Sequence, residues 1–345
     1  MSTPATRDNF LLLRHLAALG VIYGHCYALA SNPEGVVDLI AAILPGYYAG
    51  SLAVYLFFAI SGFLVTRSLI QRPGVMRYTR NRTLRVYPAY LACILLSVFL
   101  LGPALTTLTV DEYFGTPETW YYLRKNLIPS AFAWNLPGVF EQNPLPDTVN
   151  GTLWSLGLEV RCYFYLGILA ALTLVQRRLA FTTAALLLLG ASAWQWHIDD
   201  PDPLGYRALM QTFLIAALAA HWLGQHRPRH LVFLALVLPT ALLSQTPLFG
   251  VAMTITLVYA VLWFAYTLPV SNWPPRLDIS YGLFLYGFPV QQTIMSIDPS
   301  LSPLGLLAWS LLATIPIAAA SWLLIERPAL RFKLRPTAAD RDPAP

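Results

Sequence analysis

The segment from Asn9 to Ala30 reads NFLLLRHLAALGVIYGHCYALA and is long and apolar enough to span a membrane as one helix. It carries two basic side chains, Arg14 and His25. Eleven residues at 100° each place both on one helical face, roughly 16 Å apart along the axis. Because ionisable groups inside hydrocarbon usually face a bundle interior or a watery cavity, the pair indicates a functional path. A structural interpretation also fits the pair. In that case, the Arg14 side chain reaches the lipid headgroups and His25 makes a buried hydrogen bond.

The composition extends this interpretation to the whole chain. Of 345 residues, 57% are hydrophobic and 11% charged, against about 25% charged in soluble domains. Ten apolar runs predict an all-α, polytopic transmembrane bundle of about ten spans, with the division around 231–268 the least defined. The runs cover residues 10–30, 50–70, 87–107, 153–175, 179–196, 205–224, 231–247, 249–268, 279–297 and 302–325.

The arginines indicate the orientation of this bundle. Residues 67–86 contain six arginines and no acid, so the positive-inside rule predicts a cytoplasmic loop there and both termini in the cytoplasm. The long connection 108–152 is then external, and we expect a lid or a short re-entrant structure. Residues 1–335 form one transmembrane domain in this interpretation, followed by a disordered cytoplasmic tail over 336–345.

Two classes of ligand are not indicated. The net charge of +5 comes from basic residues at the ends of apolar runs rather than from a soluble stripe, so no nucleic-acid partner is expected. The three cysteines have neither disulfide-framework nor metal-ligand spacing, so no metal is expected. Membrane lipids are the expected surroundings.

A carboxylate is predicted to lie near His25. If the run 153–175 enters from the external surface, Glu159 lies roughly 9 Å and His25 roughly 8 Å below it. A carboxylate beside an imidazole orients it and stabilises its protonated form, as a general base requires, although a buried structural pair would look the same. Tyr163 follows Glu159 by one helical turn on the same face.

Two further features lie in the second and third runs. Arg82 and Arg85, three residues apart, share a face and could hold phosphate groups bidentately; alternatively, they set topology and meet anionic lipid. Ser61 and Gly62 in LFFAISGFL predict close helix packing.

Together these segments resemble the acyltransferase-3 family of membrane O-acyltransferases. The resemblance covers nearly the whole chain and rests on six features in order. They are the Arg14-to-His25 spacing, LFFAISGFL, the RxxRxxP of Arg82, Arg85 and Pro88, WSLGLE followed by Tyr163, SYGLFLYGFP at 280–289, and Ile325-Glu326-Arg327-Pro328.

The resemblance implies an activity and a distribution of roles. Family members typically move an acetyl group from cytoplasmic acetyl-CoA to a sugar hydroxyl of a surface polysaccharide, lipopolysaccharide or lipid-linked glycan, here in the bacterial inner membrane. It assigns His25 as catalytic base with Glu159 as its support. Arg14, Arg82, Arg85 and Tyr163 would form the acyl-donor site.

Two positions depart from the family pattern, and one rival function remains open. Tyr286-Gly287 stands where the family often has Trp-His, and Glu159-Val160-Arg161 keeps only the first residue of a common Glu-Glu-Gln. The rival is a secondary transporter or glycan permease in which His25 and Glu159 relay protons. The chain lacks the repeated halves that many transporters show.

Overall fold

The computed structural model describes residues 8–32, 35–44, 46–129, 132–198, 205–223, 228–246, 248–268 and 277–333. Within these ranges ten long helices follow one another. They are α1 (Phe10–Leu29), α2 (Ala49–Gln71), α3 (Val75–Leu96), α4 (Leu153–Ala171), α5 (Arg178–Ile198), α6 (Tyr206–Trp222), α7 (His230–Leu242), α8 (Phe249–Thr267), α9 (Ser280–Ile297) and α10 (Pro303–Ser321). Through single π-helical turns, α3 continues to Leu105 and α10 continues to Leu330.

Each of the ten apolar runs coincides with one of these helices, and the described residues contain no β-strand, so the all-α class is confirmed. Among the described residues, six helices are long and apolar enough to cross a membrane: α1, α2, α4 and α8, together with α3 and α10 with their continuations. The chain is therefore a membrane protein, while ten spans and cytoplasmic termini stay predictions. The region 231–268 divides into α7 and α8. The predicted tail at 336–345 lies outside the described residues.

The predicted loop over residues 67–86 is largely helical. Helix α2 ends at Gln71 and α3 begins at Val75, so only residues 72–74 connect them. Gly74 has a φ of 143°, a backbone conformation that favours glycine, in this short turn. Arginine is a good helix former, and an apolar pattern cannot detect a polar extension of a helix. The arginines from Arg77 to Arg85 thus lie on a rigid element.

Small residues bring α1, α2 and α6 close together. A Cβ on Gly24 would lie 2.3 Å from the backbone nitrogen of Gly50, so α1 and α2 are nearly in backbone contact. A Cβ on Gly62 would lie 2.2 Å from the carbonyl oxygen of Phe213 on α6. The close packing predicted at Gly62 is confirmed, because no side chain fits between these helices.

The connection between α3 and α4 enters the bundle. It contains two short helices, Val110–Gly115 and Pro117–Asn126, and ends in the re-entrant segment, residues 143–152. Nδ2 of Asn143 donates to the carbonyl and side-chain oxygens of Gln292, both at 2.9 Å, and Nε2 of Gln292 donates to two carbonyls of the segment. Asn150 donates to the carbonyl of Leu285 at 2.9 Å. These bonds hold the segment along α9, as a re-entrant structure requires, while its external position stays a prediction.

The re-entrant segment sets the depth at which α4 begins. A Cβ on Gly151 would lie 2.5 Å from the ring of Phe288, so the segment reaches Phe288 just before α4. Phe288 precedes the end of α9 at Ile297 by nine residues, about 13 Å of helix. Helix α4 therefore begins well inside the bundle rather than at its surface.

We expect Gly62→Ala to destabilise the bundle, because the added methyl group would press on the carbonyl of Phe213 and force α2 and α6 apart. The cost should be about 1–3 kcal/mol, as for other overpacked cores. Gly190→Ala on α5 is the matched control, since nothing lies within 4 Å of its Cβ position. Thermal unfolding of the purified proteins in detergent measures the difference. Equal midpoints for both variants would contradict the packing described here.

Candidate active site

Asp278 joins two partly buried arginines at one end of the bundle. Its Oδ2 lies 3.3 Å from Arg14 Nη2 and 2.8 Å from Arg85 Nη2, and its Oδ1 accepts a hydrogen bond from the hydroxyl of Ser280 at 2.7 Å. Nη1 of Arg85 also lies 3.5 Å from Oε2 of the buried Glu326. Burial raises the pKa of Asp278, but Arg85 and Arg14 outweigh it and hold that pKa below its usual range. One carboxylate thus links α1, α3 and the start of α9.

A cavity of about 110 Å³ lies beside this ion-pair cluster and is called the inner cavity here. Its walls come from helices α1, α2, α3, α4 and α9. They include five of the six side chains that the sequence assigned to the site: Arg14, Arg82, Arg85, Glu159 and Tyr163. The structure therefore brings the predicted donor-site residues together, and the sixth residue, His25, does not line this cavity.

Glu159 is held within the cavity by two hydroxyl groups. The Tyr163 hydroxyl donates to its Oε1 at 2.6 Å, and the Ser61 hydroxyl donates to the same oxygen. The Ser61 and Tyr163 hydroxyls are themselves 3.0 Å apart. The guanidinium carbon of Arg82 lies 5.8 Å from the centre of the Tyr163 ring, a cation–π distance. This network orders the cavity wall next to Arg82.

Arg82 differs from the two other arginines of the cavity. Within the described part of the chain, Arg14 and Arg85 have carboxylate partners, whereas no carboxylate lies within 4 Å of the Arg82 guanidinium. Lys333, beyond the end of α10, adds positive charge nearby: burial and the neighbouring guanidiniums of Arg82 and Arg85 lower its pKa to about 8. Arg82 is the arginine of this cavity best able to receive an anion.

His25 lies in a different part of the bundle. Its ring packs edge to face against Phe288, with the ring centres 5.2 Å apart. Its Nδ1 is buried, and among the described residues it has no hydrogen-bond partner. An unpaired buried nitrogen is costly unless another molecule supplies a partner. In the part of the chain that the structure describes, the His25 Nδ1 atom is therefore left without the carboxylate partner that the sequence predicted.

The predicted contact between His25 and Glu159 is wrong. His25 follows Gly24, which faces Gly50 of α2, whereas Glu159 bonds to Ser61 of the same helix. Eleven residues of α2 separate these two levels, about 16 Å. The prediction placed the start of α4 at the membrane surface, and the re-entrant segment instead begins α4 deeper. Glu159 therefore shares its depth with Arg14.

Two aromatic rings lie between the inner cavity and the level of His25. Phe57 and Phe284 both line the cavity and pack edge to face, with ring centres 5.7 Å apart. Phe57 also packs against the cluster formed by Ala18, Ile22 and Leu283, one turn or more from Arg14 towards His25. These rings close the inner end of the cavity.

The sequence interpretation missed three residues of the site. Asp278 is the one acid between Asp202 and Asp298, and Glu326 stands inside a quoted motif at the end of an apolar run, so both carried the signal of an isolated charge in an apolar stretch. Ser61 was assigned to packing, yet it contacts Glu159 while Gly62 makes the helix contact.

The Tyr286-Gly287 departure has a structural reason. A Cβ on Gly287 would lie 2.9 Å from Cγ1 of Ile22, so α1 and α9 are too close there for a histidine. Within the described residues, no group of three or more His, Cys, Asp or Glu side chains is arranged to hold a metal ion.

The helical bundle and its buried, charged cavity define an integral membrane protein with an internal polar site. Residues 8–326 match the family model described as an acyltransferase domain, Acyl_transf_3, which covers the inner cavity and His25 alike. The chain therefore belongs to the acyltransferase-3 family, and the protein is a membrane acyltransferase.

Two distant relatives match nearly the whole chain. The chain is 28% identical to an O-acetyl transferase of Shigella phage Sf6 over 330 residues, which cover 91% of this chain and 93% of the relative. It is 26% identical to Nodulation protein 10 of Rhizobium leguminosarum bv. viciae, over 95% of this chain and 94% of that protein. No solved structure matches the chain.

We expect Asp278→Asn to destabilise the protein, because it leaves the partly buried Arg14 and Arg85 without their shared countercharge. Breaking a buried ion pair costs about 3–5 kcal/mol, and partial exposure of these side chains places the expected loss near the lower value. Asp298→Asn, at an exposed turn, is the matched control. Denaturation of both variants in detergent tests this expectation, which equal stabilities would refute.

Proposed function

We propose that the protein is an O-acetyltransferase of the bacterial inner membrane. It takes acetyl-CoA from the cytoplasm and transfers the acetyl group to a sugar hydroxyl of a surface polysaccharide, a lipopolysaccharide or a lipid-linked glycan. The observation that carries the proposal is the convergence of Arg14, Arg82 and Arg85 on one cavity. The relative named O-acetyl transferase supports the acetyl group, and the positive-inside rule supports a cytoplasmic position for the arginine-rich end.

The donor enters at the arginine-rich end in this proposal. Arg82 contacts a phosphate group of acetyl-CoA directly, since its guanidinium has no carboxylate partner among the described residues. Arg14 and Arg85 are fixed by Asp278 and add positive potential. The flexible arm of the donor then runs along the inner cavity past Phe57 and Phe284, whose rings must move apart to admit the thioester to the level of His25.

His25 acts as the general base. One ring nitrogen takes the proton of the acceptor hydroxyl while that oxygen attacks the thioester carbonyl carbon. The new carbon–oxygen bond forms as the carbon–sulfur bond breaks, and the imidazolium returns the proton to the leaving thiolate of CoA. In the covalent variant, the imidazole itself attacks the carbonyl and the acetyl group passes through an acyl-histidine.

Glu159 and Tyr163 position the donor rather than the base. Glu159 bonds to Tyr163, and the Tyr163 ring carries the guanidinium of Arg82 on its face. Both residues lie about 16 Å from the level of His25, so neither reaches the reacting hydroxyl. Their place next to Arg82 supports a role in phosphate binding.

Purified protein incubated with acetyl-CoA labelled in the acetyl group, together with candidate glycans, tests the proposal. We expect free CoA and labelled glycan to appear in equal amounts. A secondary transporter or permease would move solute across a vesicle membrane without releasing CoA. Failure to release CoA with every acceptor tried, together with solute transport, would contradict the acyltransferase mechanism in favour of that alternative.

We expect His25→Ala to lower kcat by about 10²–10⁴-fold, the usual contribution of a general base, with the protein still inserted in the membrane. The matched control is His15→Ala on the same helix, because His15 Nδ1 bonds to the carbonyl of Leu11 and has no role in the proposed chemistry. Initial rates of CoA release at saturating donor give the comparison. Near-normal activity of the His25 variant would remove it from the mechanism.

We expect Glu159→Gln to raise the KM for acetyl-CoA about three- to tenfold, because it weakens the charge-assisted bonds from Tyr163 and Ser61 that order the wall beside Arg82. Tyr163→Phe should act in the same direction. Glu118→Gln, at an exposed position of a connecting helix, is the control. Donor saturation curves measure the effect. A lower kcat with unchanged KM would show instead that Glu159 acts on the chemical step.

A further inference from the structure

Two consecutive glutamines, Gln291 and Gln292, are fully buried in the apolar helix α9. A side-chain amide in such surroundings is costly unless its groups are bonded, and an apolar side chain of similar size would avoid that cost. The fold accounts for Gln292, because its amide bonds to three positions of the re-entrant segment. The bonds of Gln291 go to a different element, helix α1.

Gln291 bonds to the turn of α1 that carries His25. Its Nε2 donates to the carbonyl of Ile22 at 2.8 Å and to the sulfur of Cys26 at 3.0 Å. The Cys26 thiol donates to the same Ile22 carbonyl at 3.2 Å. Ile22 precedes His25 by three residues and Cys26 follows it directly, so both bonds from Gln291 hold the turn from which the imidazole projects.

Two other contacts from α9 reach the same turn. The Phe288 ring, one helical turn before Gln291, packs edge to face against the His25 ring. At Gly287, α9 approaches α1 so closely that a Cβ would lie 2.9 Å from Cγ1 of Ile22. These three positions of α9 together fix the rotation and the depth of α1 at His25. Of the three, Gln291 alone acts through directional hydrogen bonds.

The other half of the Gln291 amide shows that packing alone does not account for a glutamine here. Its Oε1 atom is buried and has no hydrogen-bond partner within the described part of the chain. An unsatisfied buried acceptor costs about 1–3 kcal/mol, which an apolar side chain would avoid. His25 Nδ1 likewise has no partner among the described residues. The direction of the imidazole therefore depends on the turn that carries it and on the Phe288 ring.

We propose that Gln291 is a positioning residue for the general base. It locks the turn 22–26 of α1 against α9 and so sets the depth and the direction of the His25 imidazole. This inference rests on the proposed function, in which His25 takes the proton of the acceptor hydroxyl. A displacement of about 1 Å can lower a rate about 10²-fold. The donor contacts around Arg82 lie about 16 Å of helix away from this turn, so they are not disturbed.

Gln291→Met tests the inference, because methionine has a similar length and volume but donates no hydrogen bond. We expect kcat for acetyl transfer to fall about 10- to 100-fold, while the KM for acetyl-CoA stays within about twofold. In a His25→Ala background, the same substitution should lower the residual rate no further, because the base that it positions is already gone. A purely structural role would lower the rate in both backgrounds.

Thr293→Val on the same helix is the matched control, since the Thr293 hydroxyl bonds to the carbonyl of Pro289 within α9. It should keep the wild-type kcat. Binding of acetyl-CoA to each purified, full-length variant in nanodiscs shows that the variant is folded. If Gln291→Met fails this check, Cys26→Ala decides, because it removes one of the two acceptors of Gln291 and should lower kcat about two- to fivefold.

Two outcomes would overturn the inference and leave His25 as the base. They are an unchanged kcat in the folded variants while His25→Ala is inactive, and an equal further loss from Gln291→Met once His25 is alanine. Normal activity of His25→Ala would overturn the inference together with the proposed base. Failure of the wild-type protein to release CoA would overturn it together with the proposed reaction.

Discussion

The structure depends on the sharing of one carboxylate by two arginines inside an apolar bundle. Arginine stays charged in proteins, so a guanidinium buried in hydrocarbon needs a fixed partner. Asp278 supplies that partner to Arg14 and Arg85 and is itself fixed by Ser280. Because the three charges come from α1, α3 and the start of α9, their pairing holds these helices in one arrangement. The inner cavity lies beside this cluster, and its geometry follows from it.

Packing and chemistry are divided between neighbouring residues of the same helix. On α2, Gly62 admits the backbone of Phe213, which brings α6 close, while Ser61 faces the other way and bonds to Glu159. The sequence LFFAISGFL, from which only helix packing was predicted, therefore also supplies Ser61 to the polar wall of the inner cavity.

The sequence predicted the ten helices and five side chains of the inner cavity, but not their depths. Hydropathy marks the apolar helices, and an isolated arginine in an apolar run marks a site, which is how Arg14 was found. Arg82 and Arg85 were found because they are three residues apart on one helical face and match the family motif. The error at Glu159 arose because hydropathy cannot show where a helix begins within the bundle. That depth is set by long-range bonds from Asn143 and Asn150 to α9, which an apolar pattern does not reveal.

The distance between the Arg14 level and the His25 level limits the substrates that the site can use. About 16 Å separates them, and the proposed reaction needs an anionic group at one level and the reacting carbonyl near the other. A compact acyl phosphate could not satisfy both, whereas a thioester on a long flexible arm can. The Phe57 and Phe284 rings pack against each other at the cavity, and in the proposed mechanism they part to admit the thioester. Such closure would protect a reactive thioester from hydrolysis before the acceptor hydroxyl is in place. The separation between the levels of Arg14 and His25 thus requires a long donor, and it also leaves room for the two rings that close the path between these levels.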